Sequence, residues 1–242
     1  MGEILAMTRV MKNVAGLMAT ALLLAACGTP DDEAQGTIVG QLRQAVAPTV
    51  ARATGKGADA EAPAAAPMSA EEMAARALAA NPAPLILVGL ESSGATQVMA
   101  MVGDNNGMRT YMTPNEQALI TRGGMLTGTK GLGHDLSVAE VDNVAALIRS
   151  RRAGQATRIN RYLGGDGVER PLEMTCTVAL GGGKSFGFAG SNWNATQVVE
   201  TCQGGGVEVQ NSYLVSPSGQ IPVSRQWISP ALGYVTIQTI RP

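Results

Sequence analysis

The thiol of Cys27 has the most distinctive chemical context in this sequence, because of the residues that precede it. Arg9 and Lys12 form a short basic region, and residues 14–26 are an almost wholly apolar run. Such a run is too short to cross a bilayer core, which needs ~20 residues, but it is typical of the central part of a secretory signal. We therefore expect residues 1–26 to be an export signal that is removed from the mature chain.

The residues at the end of the signal indicate what happens to this thiol. The string Leu-Ala-Ala-Cys at residues 24–27 resembles the lipobox of bacterial lipoprotein precursors, in which small residues fit the signal peptidase and the cysteine sulfur carries a diacylglyceryl group. The resemblance implies lipidation, with acyl chains such as palmitate, at Cys27, which then becomes the first residue of the mature chain. Gly28 favours the outer membrane, because Asp at that position retains lipoproteins at the inner membrane of enteric bacteria.

The other two cysteines, Cys176 and Cys202, are predicted to form a disulfide. Export places them in an oxidising compartment, where a disulfide is the default for two remaining thiols. No CxxC pair or second histidine accompanies them, so the pattern fits no zinc site. Closing this loop would stabilise the fold by roughly 3 kcal/mol in the chain-entropy model. Two buried thiols are the alternative.

Motifs for catalysis are weak in this sequence. His134 is the single histidine, and Asp135 follows it directly. We interpret the two as neighbouring loop residues rather than as part of a Ser/His/Asp catalytic arrangement. The string GGGKS at residues 181–185 fails the phosphate-loop pattern, because Val178 stands where a glycine is required. A pair of carboxylates for glycoside hydrolysis stays open. The acidic side chains considered for it are Asp135, Asp166, Glu169 and Glu173. We predict no cofactor and no metal.

The composition limits the classes of partner. The formal net charge is −1, and 45% of the residues are hydrophobic. Without a basic excess there is no electrostatic support for nucleic-acid binding. Three arginines at positions 149, 151 and 152 are interpreted as a solvated helix end rather than an anion site, since cations are favoured in the last turn of a helix.

The hydrophobic periodicity predicts a mainly β protein, an antiparallel barrel-like or sandwich domain with a few flanking helices. Capping boxes at Ser69–Glu72 and Ser137–Glu140 predict helices at 69–80 and 137–150, and a further short helix is predicted at 38–47. Glycines 181–183 and 204–206 are predicted to form loops. The predicted strands are 85–91, 96–102, 108–112, 116–121, 125–127, 157–163, 168–178, 207–216, 220–228 and 234–241. The predicted organisation is a signal at 1–26, a lipidated tether with short helices at 27–83, and a β-rich domain at 84–242.

Three separated strings resemble one known family in the order expected of it. They are ITRGGMLTGTKGLGHDL at residues 120–136, NSY at 211–213 leading into Ser218-Gly219, and SRQWISP at 224–230. Together they are similar to the YjbF/GfcB family of group 4 capsule lipoproteins, over roughly residues 84–242. The resemblance implies an outer-membrane lipoprotein of a capsule or exopolysaccharide locus with a mostly β fold, and it implies no catalytic residues.

Within these strings four side chains are candidate contacts for a partner or a glycan: Arg122, Asp135, Arg225 and Trp227. An ion pair between Arg122 and Asp135 would orient the following helix. Arg225 and Trp227 alternate along one strand, so an arginine–tryptophan contact is feasible. A purely structural role for all four is the alternative.

The function predicted from the sequence is that of a non-enzymatic envelope lipoprotein, membrane-bound through its lipid and facing the periplasm. It would assist exopolysaccharide or capsule production or export by binding an export protein or a glycan. Two alternatives stay open: a polysaccharide-modifying enzyme, and a lipid-handling β-barrel, which would show an open apolar cavity.

Lipidation of Cys27 has a direct test. We expect Cys27→Ser to abolish incorporation of labelled palmitate and to leave the signal uncleaved, because the acylated thiol is required for processing. The variant Cys176→Ser is the control and should keep its label. Equal labelling of Cys27→Ser and the native protein would contradict the prediction.

Overall fold

The structure is a computed structural model that describes residues 68–242. The predicted signal, Cys27, the helix at 38–47 and nearly all of the tether lie outside these residues. The described part contains two helices and twelve strands. Their bounds are α1 Ala70–Ala80, β1 Leu85–Leu90, β2 Thr96–Asn105, β3 Met108–Met112, β4 Ala118–Arg122, β5 Met125–Lys130, β6 Val138–Glu140, α2 Asp142–Arg149, β7 Gly154–Leu163, β8 Glu169–Phe188, β9 Ser191–Gly204, β10 Val207–Val215, β11 Val223–Ser229 and β12 Gly233–Arg241.

All twelve strands belong to one antiparallel sheet that curls into a nearly closed barrel. The strand order is β5-β4-β3-β2-β1-β12-β11-β10-β9-β8-β7-β6, so β1 and β12 lie in the middle and β5 and β6 are the two edges. The edges approach each other through the loop between them, where the Thr129 amide donates to the Leu136 carbonyl at 2.8 Å. The prediction of a mainly antiparallel β domain is confirmed, and the continuous ladder makes it a barrel rather than a two-sheet sandwich.

The barrel interior holds the main hydrophobic core. Alternate residues of β8 point into it, and Met174, Cys176 and Val178 are buried while their neighbours Thr175 and Thr177 are exposed. Cys176 and Cys202 lie opposite each other on β8 and β9 and are joined by a disulfide. The predicted pairing of the two cysteines is therefore confirmed.

Helix α1 packs on the outer surface of the barrel and gives β1 a second buried face. The helix begins as predicted with a capping box, in which Ser69 and Glu72 bond to each other's backbone amides. A small second core forms around Ala74 of the helix, with Leu85, Leu87 and Ile240 of the sheet. Since the interior core covers the alternate residues of β1, every residue of this strand is buried. The sequence of a strand buried on both faces is a continuous apolar run, and the β1 sequence Leu-Ile-Leu-Val-Gly-Leu fits this rule.

The prediction of a helix starting at Ser137 is wrong. Residues Val138–Glu140 form strand β6, which pairs with β7, and α2 begins only at Asp142. The Glu140 carboxylate, which a capping box would turn back to the backbone, lies 2.7 Å from the Arg161 guanidinium on the neighbouring strand. Pairing with β7 and this cross-strand ion pair override the local helix signal.

The region between residues 179 and 204 also differs from the prediction. Residues 181–183 form no loop, because strand β8 runs through them with a shift of register between Leu180 and Gly183. Strand β9, which the sequence patterns did not indicate, completes a long hairpin with β8. The hairpin ends beside α1, where Phe188 joins the outer core and the Ala189 amide donates to Glu71 at 3.4 Å. The sequence shows no strand pattern here because most residues of the glycine-rich stretch face solvent on both sides of the sheet, so hydrophobic and polar residues do not alternate.

A charged network crosses the barrel interior beside the disulfide. The guanidinium of Arg158 on β7 and the carboxylate of Glu200 on β9 lie 3.2 Å apart, with exposed side-chain fractions of 1% and 0%. Glu200 also accepts hydrogen bonds from Asn211 at 2.8 Å and from Tyr213 at 2.6 Å. Burial alone would lower the pKa of Arg158, but the neighbouring Glu200 outweighs it and raises that pKa. The Arg158 guanidinium therefore stays charged inside the barrel.

The second end of the network reaches β11. Arg158 donates through Nε to Asn160 at 3.1 Å, Asn160 donates to the Tyr162 hydroxyl at 3.1 Å, and that hydroxyl donates to the Ile228 carbonyl at 2.6 Å. Burial raises the pKa of Tyr162 to about 12, so the hydroxyl stays protonated and keeps donating. Four strands are thus connected through side chains inside the barrel.

We expect Glu200→Gln to destabilise the domain by about 3–5 kcal/mol, because it leaves the buried Arg158 guanidinium without a counter-charge. The midpoint and slope of urea unfolding measure the effect. Arg170→Gln is the control, since it breaks an ion pair with Asp166 that is exposed on both sides and should change the midpoint little. A Glu200→Gln midpoint equal to that of the native protein would show that the network does not stabilise the barrel.

Candidate functional site

Asp135 anchors the loop between β5 and β6. Its carboxylate accepts hydrogen bonds from the Thr129 hydroxyl at 2.8 Å, the Gly131 amide at 2.9 Å and the Leu132 amide at 3.1 Å. These three bonds fix the glycine-rich turn that brings the two edge strands together. The expected ion pair with Arg122 is wrong, because within residues 68–242 Arg122 pairs instead with Asp142, at 3.9 Å.

Arg225 and Trp227 do not contact each other as the alternation suggested. The Arg225 guanidinium lies 3.5 Å from the centre of the Tyr234 ring and forms two bonds to Glu91, at 2.6 and 2.7 Å. Trp227 is only 6% exposed and makes an edge-on contact with Tyr162, with ring centres 6.2 Å apart. The strand is irregular here, since the register between β11 and β12 shifts between Trp227 and Ser229. A partner or glycan contact through Arg225 or Trp227 stays a prediction.

Arg122 is the candidate residue that borders open space. It is the last residue of β4, and its side chain is 42% exposed. Two clefts of substantial volume meet at this residue. The structure therefore separates Arg122 from the other three candidates, each of which has close partners within the fold.

The first cleft, here called the seam groove, runs along the outside of the barrel where β5 and β6 diverge. Its volume is about 600 Å³. One wall comes from β3, β4 and β5, and the other comes from β6, the start of α2 and β7. The groove is lined by Met108, Ile120, Arg122, Thr127, Gly128, residues 137–143, Thr157 and Ile159. Its lining is mostly uncharged, with Arg122, Glu140 and Asp142 as the charged side chains.

The second cleft, here called the α2-end cleft, opens at the end of the barrel where α2 terminates. Its volume is about 370 Å³, and its side walls include Arg109, Tyr111, Arg122, Arg149 and Trp193. The chain segments that supply these residues are far apart in sequence. The β2–β3 hairpin supplies the first two, the end of β4 the third, α2 the fourth and the β8–β9 hairpin the last.

Tight backbone turns hold Arg149 in place at the α2-end cleft. The Arg149 Nε donates to the Gly219 carbonyl at 3.2 Å, which fixes the last turn of α2 against the β10–β11 turn. A Cβ atom on Gly123 would lie 2.9 Å from the Arg149 guanidinium, and a Cβ on Gly124 would lie 2.7 Å from Ile221. Both glycines also have positive φ, so the β4–β5 turn fits only without side chains.

The hydrogen bonding around the α2-end cleft is incomplete. Among residues 68–242, four buried side-chain donors have no hydrogen-bond partner: the Nε of Arg122 and the indole Nε1 of Trp193 at this cleft, and Arg158 Nη2 and Gln238 Nε2 elsewhere in the barrel. Buried donors are normally paired, so an unpaired one calls for an explanation. Both atoms at the cleft can only donate, and the missing groups are therefore acceptors.

The sequence patterns missed Arg109, Arg149 and Trp193 as site residues. Arg149 belongs to the group interpreted as a solvated helix end. Instead, Arg149 lines the cleft and Arg151 donates to the Ser216 carbonyl at 2.7 Å. Trp193 lies on the unpredicted strand β9. The three arginines at positions 149, 151 and 152 were the sequence feature that could have indicated this site. The sequence does not show which residues lie beside them in the folded chain.

A metal site has one apparent candidate within residues 68–242. Ligand-type atoms of Cys176, Glu200 and Cys202 lie within 4.8 Å of one another. The two sulfurs are joined in the disulfide, and Glu200 is paired with Arg158. Metal binding by cysteine requires a thiolate, so this group is a structural element.

Neither of the two helices in residues 68–242 is long and apolar enough to span a membrane. The fold is similar to the crystal structure of the hypothetical lipoprotein YmcC from Escherichia coli K12. The TM-score is 0.62 at 17% sequence identity, and the match covers 72% of this chain and 90% of that one. No curated protein matches the chain. The family model described as group 4 capsule polysaccharide lipoprotein GfcB, YjbF matches residues 57–240. The chain therefore belongs to the YjbF family of group 4 capsule polysaccharide lipoproteins.

Proposed function

We propose that this chain is a non-enzymatic lipoprotein of the outer membrane, facing the periplasm, that assists capsule or exopolysaccharide production or export by binding. Lipid on Cys27 would hold the domain at the membrane, and the surface around Arg122 would bind the glycan or an export protein. The main support is that Arg122 borders both the seam groove and the α2-end cleft. The family supplies the polysaccharide context.

The filled interior supports binding at the surface rather than lipid transport through the barrel. Val198, Cys202 and Tyr213 are completely buried inside the barrel, and the network around Glu200 occupies the space between them. A lipid-handling barrel needs an apolar cavity with room for acyl chains. The two clefts around Arg122 instead combine apolar and charged side chains.

The positions of the acidic side chains also support a binding role over glycan hydrolysis. Asp166 forms an ion pair with Arg170, and this arginine lowers the pKa of Asp166 to about 2. A carboxyl group with such a pKa stays ionised at neutral pH and does not act as a general acid. Asp135 is held by three hydrogen bonds in its loop.

Complementation of a strain that lacks the gene tests the proposal. We expect Arg122→Glu to reduce the amount of exported polysaccharide several-fold, because it reverses the charge where both clefts meet. Arg170→Glu is the matched control, since Arg170 is also exposed but lies in the β7–β8 hairpin, away from both clefts. It should complement like the native gene.

Immunoblots of membrane fractions must show equal amounts of both variants. Export by Arg122→Glu at the level of the native protein would overturn the assignment of this surface. Crosslinking from position 138 in the seam groove would separate a protein partner, which gives a discrete adduct, from a glycan, which gives a heterogeneous one.

A further inference from the structure

We propose that the α2-end cleft binds an acidic saccharide, a sugar unit that carries a carboxylate. This inference rests on the proposed function, because it names the ligand of the surface around Arg122. It goes further in selecting one of the two clefts and one class of ligand. Three independent features of the cleft support it: its charge, its unpaired donors and its aromatic side chains.

The cleft concentrates positive charge on a chain whose formal net charge is −1. Arg109, Arg122 and Arg149 line it, and Asp104 is the acidic side chain among the lining residues. Asp104 lies 3.3 Å from Arg109 and offsets that charge, whereas the one ion pair of Arg122 within residues 68–242 is the long contact to Asp142 at 3.9 Å. Two guanidinium groups therefore remain available for an anion. Guanidinium matches a planar carboxylate with two parallel hydrogen bonds.

The unpaired donors indicate which groups beside the cleft a ligand oxygen would bond to once the side chains that cover them shift. In the part of the chain that the structure describes, the Nε of Arg122 and the Nε1 of Trp193 are buried and have no hydrogen-bond partner. Both residues line the cleft, and they come from two separate segments, β4 and the β8–β9 hairpin. A carboxylate offers two acceptor oxygens, and the hydroxyl and ring oxygens of a sugar offer more. One acidic sugar would thus supply acceptors to both donors.

Aromatic and apolar side chains favour a saccharide over a simple anion. Tyr111 and Trp193 are part of the lining, as are Ile221 and Pro222 of the β10–β11 turn. Tyr111 is 5% exposed and belongs to the core, so the partly buried Trp193 is the ring of the two that can meet the C–H face of a sugar. Inorganic phosphate would leave this ring unused. The volume of about 370 Å³ is at the lower end of the ~300–1,000 Å³ usual for small-molecule sites. A short stretch of a glycan fits this space.

Isothermal titration calorimetry of the full-length lipidated protein in detergent tests the proposal. The probes are trigalacturonic acid, the neutral trisaccharide maltotriose, and inorganic phosphate. We expect trigalacturonic acid to bind at least tenfold more tightly than either of the others. The affinity should fall as salt rises from 50 to 500 mM, since exposed charges are screened.

Two variants test the Arg122 guanidinium and the Trp193 indole N–H. Arg122→Gln should weaken trigalacturonic acid at least tenfold. Trp193→Phe keeps an aromatic ring but removes the indole N–H, and it should weaken binding several-fold. Arg170→Gln is the control and should bind like the native protein. Thermal unfolding of each variant must match the native curve. If Arg122→Gln unfolds early, Arg122→Lys replaces it, and this variant should also weaken binding because it keeps the charge but lacks the two-pronged guanidinium.

Equal affinity for the acidic and the neutral trisaccharide would overturn the proposal. So would phosphate binding as tight as that of trigalacturonic acid together with an unchanged Trp193→Phe variant, which would mark a plain anion site. If no sugar binds while Arg122→Glu still reduces export, the saccharide inference fails and the proposed function stands. If trigalacturonic acid binds as expected but export is normal in Arg122→Glu, the proposed function fails instead.

Discussion

The rest of the barrel depends on the interactions of one buried carboxylate, that of Glu200. It lies in the interior with no exposed side-chain surface, and it accepts from groups on β7 and β10 while its own strand is β9. A buried charge is tolerated only when its partners are correctly placed. The network therefore selects one relative arrangement of these strands, whereas apolar packing alone would accept several. The neighbouring disulfide joins β8 to the same arrangement.

Elements with strong local signals could be predicted from the sequence. The Asn106-Gly107 turn has positive φ at both residues, as the Asp-Asn-Asn-Gly string indicates, and strand β3 has the predicted bounds. The capping box at Ser69 starts a helix, but the similar string at Ser137 does not. The two differ in what surrounds them: α1 has an outer wall to pack on, whereas residues 138–140 have a free strand edge to pair with. Only tertiary structure distinguishes the two cases.

The candidate site was less predictable than the fold for a topological reason. Arg109, Arg122 and Trp193 come together because the strand order places the ends of β3 and β4 and the long β8–β9 hairpin around one opening. Family-like strings drew attention to Arg122 but equally to Asp135, which maintains the fold. Residue type and spacing do not reveal whether a polar side chain has its partners within the fold. That distinction comes from the hydrogen bonds within residues 68–242, which satisfy Asp135 and leave Arg122 Nε without a partner there.

The position of α1 affects how this protein can be dissected. Leu85, Leu87 and Ile240 form an apolar strip on the outer surface of the barrel, and α1 covers this strip. A recombinant fragment that starts at residue 84, at the first strand, would present this strip to water and would also free the tip of the β8–β9 hairpin from Glu71. Uncovered apolar patches of this kind promote self-association. A truncated fragment that is meant to stay monomeric therefore has to retain the helix and its Ser69 cap.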